Sequence, residues 1–295
     1  MKQKFFIVII LLICILCGGC SAAQDSAQVV ATTGPVFQFT NRLCQSTGIQ
    51  VGQLITENVS CLHDYTLQVS QMRQVESAEA VICSGAGLED FMADVTSQAG
   101  VCIDASTGVN IMSYGEDHDH EHKHEHGHEH EHDPHIWLSP VNAKIMAENI
   151  CNGLSALYPA CADTFRRNLT DLLGDLDVLQ AYGENTLKDL SCRDLITFHD
   201  GFAYFAHSFD LTILKAVEEE SGSEASAQDL KALINLVNEH HLPAVFTEVN
   251  GSVSAAEVIC RETGVRAYQL DMAMAGDDYF ASMYRNIDTI KEALK

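Results

Sequence analysis

The chain has 295 residues and carries 17 Lys and Arg against 41 Asp and Glu, which gives a formal net charge of −24. A nucleic-acid-binding protein needs clustered cations to contact phosphates, so this balance excludes that class. Hydrophobic residues make up 46% and charged residues 20%, as is usual for a globular protein with one long or two modest domains. Two counts are unusual, 14 His and 11 Cys.

The N-terminus has the pattern of an export signal. Two lysines precede twelve apolar residues at 5–16, which are too few for a membrane-spanning helix of about 20 residues. The sequence Cys-Gly-Gly-Cys-Ser that follows at 17–21 resembles a bacterial lipoprotein signal, in which Cys20 becomes the lipidated first residue. We therefore expect a signal peptide at 1–20. The mature protein is expected outside the cytoplasm, anchored to the outer face of the cytoplasmic membrane as a lipoprotein or free in the periplasm.

Eight cysteines remain after the signal. An even number in an exported chain permits a disulfide framework, but the sequence does not choose among the possible pairings. None of them forms a CxxC pair, which disfavours a thiolate zinc site of the ribbon type. We expect mostly small buried hydrophobic side chains with one or two bridges. The eight are Cys44, Cys61, Cys83, Cys102, Cys151, Cys161, Cys192 and Cys260.

Short runs rich in Val and Ile alternate with helical stretches along the first half of the mature chain. This order predicts a parallel sheet. The predicted strands cover 27–33, 49–55, 78–84 and 101–105, and the predicted helices cover 36–46, 66–76 and 88–98.

The same order returns in the second half. Between the halves, residues 140–190 carry apolar side chains at helical spacing with one break at Pro159, and a helix of about 28 residues, near 40 Å long, is expected after the break. The predicted strands of the second half cover 194–199, 211–217, 244–249 and 266–271, and its helices cover 202–207, 226–240, 254–263 and 279–294.

The predicted fold class is therefore α/β. It has two lobes, each with a parallel four-stranded sheet flanked by helices, joined by a long rigid helix. We expect an N-terminal lobe at 27–139 that includes a His-rich loop at 116–133, a linking helical segment at 140–190 and a C-terminal lobe at 191–295.

Residues 116–133 alternate imidazole with carboxylate and contain no apolar side chain for a core. This pattern predicts a mobile surface loop. Imidazole is a good ligand for Zn, Cu and Ni, so the loop is predicted to bind divalent metal ions at several weak sites. The alternatives are a solvated acidic loop without function and an engineered tag, although a tag is normally terminal and uninterrupted. The loop histidines are His118, His120, His122, His124, His126, His128, His130 and His132.

A second, ordered metal site is suggested by four segments elsewhere in the chain. They are Leu-His-Asp-Tyr at 62–65, Asp-Pro-His-Ile-Trp-Leu-Ser-Pro at 133–140, Phe-His-Asp-Gly-Phe-Ala-Tyr-Phe at 198–205 and Leu-Asp at 270–271. Together they resemble the metal-binding extracytoplasmic solute-binding proteins of ABC transporters, and within that group (cluster A-I) the zinc-uptake lipoproteins. The resemblance covers nearly the whole mature chain.

Carried over residue by residue, the resemblance implies a metal site in the cleft between the lobes. It makes His63, His135 and His199 the imidazole ligands and Asp271 the fourth ligand, with a water or another carboxylate as the alternative fourth. The residues themselves agree, because His199 and Asp271 end predicted parallel strands, where ligands gather in open α/β sheets. Glu248, at another strand end, is either a residue that orients a ligand or an ordinary strand-end acid.

Three nitrogens and one carboxylate suit tetrahedral Zn²⁺. Manganese members of the resembled family tend to carry a carboxylate in place of the third imidazole, so His199 favours Zn²⁺ over Mn²⁺. The resemblance implies a zinc-binding component that captures the ion outside the cytoplasmic membrane and delivers it to ABC permease and ATPase subunits. The protein is expected to be a monomer, attached to the membrane only by its lipid.

Two other classes of function are weighed against this one. The first is a protein for manganese or another divalent metal, a metal-dependent adhesin or a passive zinc buffer. The second is a secreted zinc hydrolase, which needs an open coordination position and a general base. A fourth protein ligand would close that position, and the HExxH strings of the chain all lie in the polar His-rich loop and not on a helix of the zincin type. We therefore expect no enzymatic activity.

Overall fold

The computed structural model describes residues 27–57, 62, 65–113, 132–217, 225–249, 251–274 and 278–295. The signal peptide, Cys20, Cys61, His63 and most of the His-rich loop therefore lie outside the described residues. Within the part that is described, every helix is too short or too polar to span a bilayer.

The first half forms a parallel four-stranded sheet in the order β2-β1-β3-β4. Its strands are β1 (Val29–Ala31), β2 (Val51–Gln53), β3 (Ala80–Cys83) and β4 (Cys102–Asp104), and its helices are α1 (Gly34–Leu43), α2 (Val69–Ser77) and the short α3 (Ala93–Thr96).

The second half repeats the pattern, with a parallel sheet in the order β6-β5-β7-β8. The two sheets confirm the predicted α/β fold. The strands are β5 (Asp194–Thr197), β6 (Thr212–Ala216), β7 (Ala244–Glu248) and β8 (Arg266–Leu270). Two long helices between the halves, α4 (Pro140–Leu157) and α5 (Ala162–Leu187), precede α6 (Ala203–Ser208), α7 (Ala227–Glu239), α8 (Ser254–Thr263) and α9 (Tyr279–Leu294).

The helix ends follow local sequence signals. Ser139 caps α4 by accepting a hydrogen bond from the Asn142 amide, and Pro140 occupies the first turn, where its missing N–H costs nothing. Ser226 and Asp229 form a capping box at the start of α7. Gly264 ends α8 with φ of 81°, a conformation that favours glycine.

The linking segment is two helices and not one. A turn at Pro159–Cys161 separates α4 from α5, as the proline predicted, and α5 runs for 26 residues, or about 39 Å. The larger hydrophobic core joins the first sheet, both long helices and the inner face of the second sheet. A smaller core fills the outer face of the second sheet. Strand alternation explains the division, since Leu195 points to the larger core and its neighbour Ile196 to the smaller one.

One predicted helix, at 88–98, was largely wrong. The segment holds a 3-10 turn at Asp90–Met92 and only one helical turn after it. The reason lies just upstream, where three successive residues (Gly85, Ala86 and Gly87) all have positive φ angles and reverse the chain. The lobe boundaries expected at 139 and 190 stay a prediction.

Candidate metal centre

His135 lies immediately before the 3-10 turn Ile136–Leu138 and is 1% exposed. Its Nδ1 is 2.8 Å from Oδ1 of Asp133, and the same oxygen accepts the backbone N–H of His135 at 2.9 Å. A carboxylate that holds one ring nitrogen fixes both the orientation and the tautomer of an imidazole. The other nitrogen, Nε2, is thereby left with its lone pair available for a ligand.

The segment around His135 is fastened to the second half of the chain. The Trp137 indole N–H donates to the Met272 carbonyl at 2.8 Å, and the Tyr279 hydroxyl donates to the Trp137 carbonyl at 2.8 Å. The Tyr204 hydroxyl donates to the Asp133 carbonyl at 3.0 Å. Burial raises the pKa of Tyr204 to about 12, which keeps this donor protonated. These bonds fix the position of the His135 backbone with respect to the second sheet.

His199 follows β5 and is 3% exposed. Its Nδ1 lies 3.2 Å from Oε1 of Glu248, the last residue of β7. Because β5 and β7 are neighbouring parallel strands, their carboxyl ends meet at one edge of the sheet. The chain after His199 passes close to the ring, and a Cβ on Gly201 would stand 2.6 Å from the His199 Cδ2 and 2.6 Å from the Met272 Cε.

The two histidines come together where the halves of the chain meet. Their Nε2 atoms are 3.3 Å apart, with ring centroids separated by 5.0 Å and ring planes at 84°. Two nitrogens bound at 2.0–2.1 Å to one tetrahedral ion stand about 3.3 Å from each other. The separation in this structure therefore fits two imidazole ligands of a Zn²⁺ ion, each oriented by a buried carboxylate from behind.

Asp271 follows β8 but has other partners. Its Oδ2 accepts hydrogen bonds from Ser282 and Arg285, both at 2.8 Å, and its Oδ1 accepts the Ala273 amide at 2.8 Å. Among the described residues, no three His, Cys, Asp or Glu side chains form a group that could hold a metal ion. Asp271 is thus not assembled with the two histidines here, and its role as a ligand stays a prediction.

Of the other predicted metal ligands, the structure describes only His132. His63 and the loop histidines from His118 to His130 lie outside the described residues. His132, the last of the loop, is exposed, and its Nδ1 is 3.4 Å from the Ser113 hydroxyl in an isolated antiparallel bridge.

The sequence interpretation did not assign a role to Asp133. The signal for it was present, because a carboxylate two positions before a ligand histidine can reach the histidine's Nδ1. Glu248 was singled out from its place at a strand end, and it lies beside His199.

Comparisons with known proteins point to one family. Residues 29–293 match the family model described as ZnuA, the periplasmic zinc-uptake complex component A. The zinc-binding protein AdcA of Streptococcus pyogenes is 27% identical over 292 residues, covering 91% of this chain and 56% of AdcA. This chain therefore spans about half the length of that relative.

Two further relatives match along most of their own length. The high-affinity zinc uptake system protein ZnuA of Bacillus subtilis is 27% identical over 290 residues, covering 94% of this chain and 90% of that protein. A crystal structure of ZnuA superposes with a TM-score of 0.79 at 29% identity, covering 92% of this chain and all of that one.

Proposed function

The chain belongs to the ZnuA family of zinc-uptake components, and we propose that it is the zinc-binding component of an ABC-type uptake system. It captures Zn²⁺ outside the cytoplasmic membrane and delivers the ion to the permease, which is driven by an ATPase subunit. The observation that carries this proposal is the 3.3 Å separation of the His135 and His199 Nε2 atoms, each on a ring whose Nδ1 faces a buried carboxylate.

The proposed site has four ligands. His135 and His199 supply the two nitrogens that the fold already brings together, and His63 and Asp271 are proposed as the third and fourth. Three imidazoles and one carboxylate favour Zn²⁺ over Mn²⁺, which prefers oxygen ligands. A closed set of four protein ligands leaves no position for a reacting water, so the ion is cargo and no catalytic role is assigned to it.

Delivery requires the protein to stay near its transporter. Lipidation of Cys20 would tether the mature chain to the outer face of the membrane. Two relatives from Streptococcus pneumoniae are named zinc-binding lipoprotein AdcA, which supports this arrangement. The net negative charge also favours the accumulation of cations around the protein.

Calorimetric titration of the metal-free protein with Zn²⁺ tests the proposal. We expect one tight equivalent, and His135→Ala or His199→Ala should weaken it at least about 100-fold, since each removes a direct ligand. His207→Ala is the matched control, because this histidine is exposed and lies on the helix after His199. Tight zinc binding by both His135→Ala and His199→Ala would overturn the proposal. A lower dissociation constant for Mn²⁺ than for Zn²⁺ in the unsubstituted protein would also overturn it.

A further inference from the structure

Two cysteines on neighbouring strands of the first sheet lie unusually close. Cys83 ends β3 and Cys102 begins β4, and their sulfur atoms are 3.4 Å apart. In the register of the two strands, Val81 pairs with Cys102 and Cys83 pairs with Asp104. The cysteines are therefore diagonal neighbours, and their side chains lie on the same face of the sheet because positions two apart share a face.

The surroundings of the two thiols differ. Cys83 is 7% exposed, whereas Cys102 is exposed on β4, the edge strand of its sheet. The Cys102 thiol is thus accessible to solvent, whereas the Cys83 thiol is buried.

The pKa values of the two thiols also shift in opposite directions. The hydrogen bond with the Cys83 thiol lowers the pKa of Cys102, and the same hydrogen bond, together with burial, raises the pKa of Cys83. Thiolate character and exposure decide which cysteine reacts first in an exchange. Cys102 is therefore the attacking group, and Cys83 stays protonated until the second step.

A metal site is the competing use for two adjacent thiols. It would need at least one more ligand, and Asp104 and Glu89 are both near enough to influence the pair. Within the described residues, however, no group of three or more such side chains is arranged to hold an ion. The carboxylate of Asp104 instead accepts hydrogen bonds from the Ser106 amide and hydroxyl.

We propose that Cys83 and Cys102 are an oxidisable pair that closes to a disulfide when the protein meets a disulfide donor such as oxidised glutathione. The Cys102 thiolate attacks one sulfur of the donor, breaks its S–S bond and releases one thiol. Cys83 then loses its proton and attacks the Cys102 sulfur of the mixed disulfide, releasing the second thiol of the donor. The donor is reduced by two electrons, and the two cysteines are oxidised by the same two.

The bridge would enclose the segment between the two cysteines, which are 19 positions apart. That segment carries Glu89, whose buried carboxylate accepts hydrogen bonds from Thr32 on the loop after β1 and from the Ser84 and Gly85 amides after β3. Tying β4 to β3 would therefore hold the edge of the first sheet and the Glu89 network together. A loop closure of this size stabilises the folded state, in the chain-entropy model, by restricting the unfolded chain.

Peptide mapping of the intact protein tests the pair. The protein is purified reduced, incubated with oxidised glutathione, alkylated and digested without reduction by a protease that cleaves after Glu. Cleavage after Glu79, Glu89 and Glu116 separates the two cysteines, so a disulfide joins peptides 80–89 and 90–116. We expect this linked pair, and we expect oxidation to raise Tm by roughly 5 °C or more, reversibly on reduction.

Cys83→Ser and Cys102→Ser should each abolish both the linked peptides and the rise in Tm. Cys260→Ser, which changes a partly buried cysteine on α8 in the other half, should preserve both. Two alkylated cysteines at 83 and 102 after oxidation of the wild-type protein would overturn the proposal. So would a link from either residue to a different cysteine. Both readouts come from the wild-type protein, so a poorly folding variant does not obscure the result.

Discussion

The Nε2 atoms of His135 and His199 lie 3.3 Å apart, although the residues are 64 positions apart in the chain. Both rings are nearly completely buried, and each presents its Nδ1 to a carboxylate that is also buried, Asp133 or Glu248. Burying two carboxylates is unfavourable unless they have partners, and here each has an imidazole; a Zn²⁺ ion bound between the two histidines, as proposed, would also offset their negative charge.

Asp133→Asn should weaken zinc binding by about 10- to 100-fold, the usual effect of losing the carboxylate behind a metal-bound histidine. The amide keeps the size of the side chain but can donate to Nδ1, which would place the ring in the wrong tautomer. The dissociation constant is measured by competition with a chromophoric chelator. Asp163→Asn is the control, because Asp163 is exposed and pairs only with Arg166 among the described residues. An unchanged affinity in Asp133→Asn would show that Asp133 does not position the ligand.

Gly201→Ala should also weaken zinc binding, by roughly 10-fold. The new methyl group would stand 2.6 Å from the His199 ring, so the ring or the loop must move away from His135. Gly174→Ala on α5 is the control, since a Cβ there meets no atom within 4 Å and alanine favours a helix by up to about 1 kcal/mol. We expect a lower Tm and weaker binding for the first variant, with unchanged binding for the second. Full affinity in Gly201→Ala would mean that the His199 position is not critical.

The fold was predictable because its signals are local. Short apolar runs predict the strands, and apolar residues at helical spacing predict the helices. The position of His199 at an end of the second sheet could be predicted because it follows one of those strands. The contact between His135 and His199, and that between Cys83 and Cys102, depend on how distant segments pack and on strand register, which no local pattern encodes. The helix expected at 88–98 did not form because the turn at 85–87 has positive φ angles, and the buried Glu89 carboxylate accepts the Ser84 and Gly85 amides at this turn.

Asp271 has two possible roles that a pair of variants distinguishes. As a zinc ligand it must turn its carboxylate from Arg285 and Ser282 toward the ion, and Asp271→Asn should then weaken zinc binding at least about 10-fold. Arg285→Ala should leave the affinity unchanged or improve it, because it releases the carboxylate. Affinity is measured by calorimetry and stability by thermal unfolding. If Asp271→Asn and Arg285→Ala lower Tm alike and neither changes zinc affinity, Asp271 is a structural anchor and not a ligand.

Glu89 should make stability depend on pH. Burial raises its pKa from 4.5 to about 7, so between these values the folded protein holds a proton that the unfolded chain releases. Stability from this group is therefore present below about pH 4.5 and is lost as the pH rises toward 7, by roughly 3 kcal/mol at most. Urea unfolding of the wild type and Glu89→Gln at pH 5 and pH 7.5 isolates the effect. The free energy of unfolding of the wild type, measured relative to the variant, should fall across this interval. A constant difference would show that Glu89 does not titrate there.

Replacing residues 118–132 by a Gly/Ser linker should separate the two kinds of zinc site. His135 is held by Asp133, outside the replaced segment, whereas His132 is exposed beside Ser113, so the tight site does not depend on the loop. Calorimetry should show one tight zinc equivalent with an unchanged dissociation constant, and the weaker equivalents should disappear. His135→Ala in the linker variant is the control and should remove the remaining equivalent. Loss of the tight equivalent in the linker variant alone would mean that the loop supplies a ligand to the site, and the loop could not then be a separate collector of metal ions.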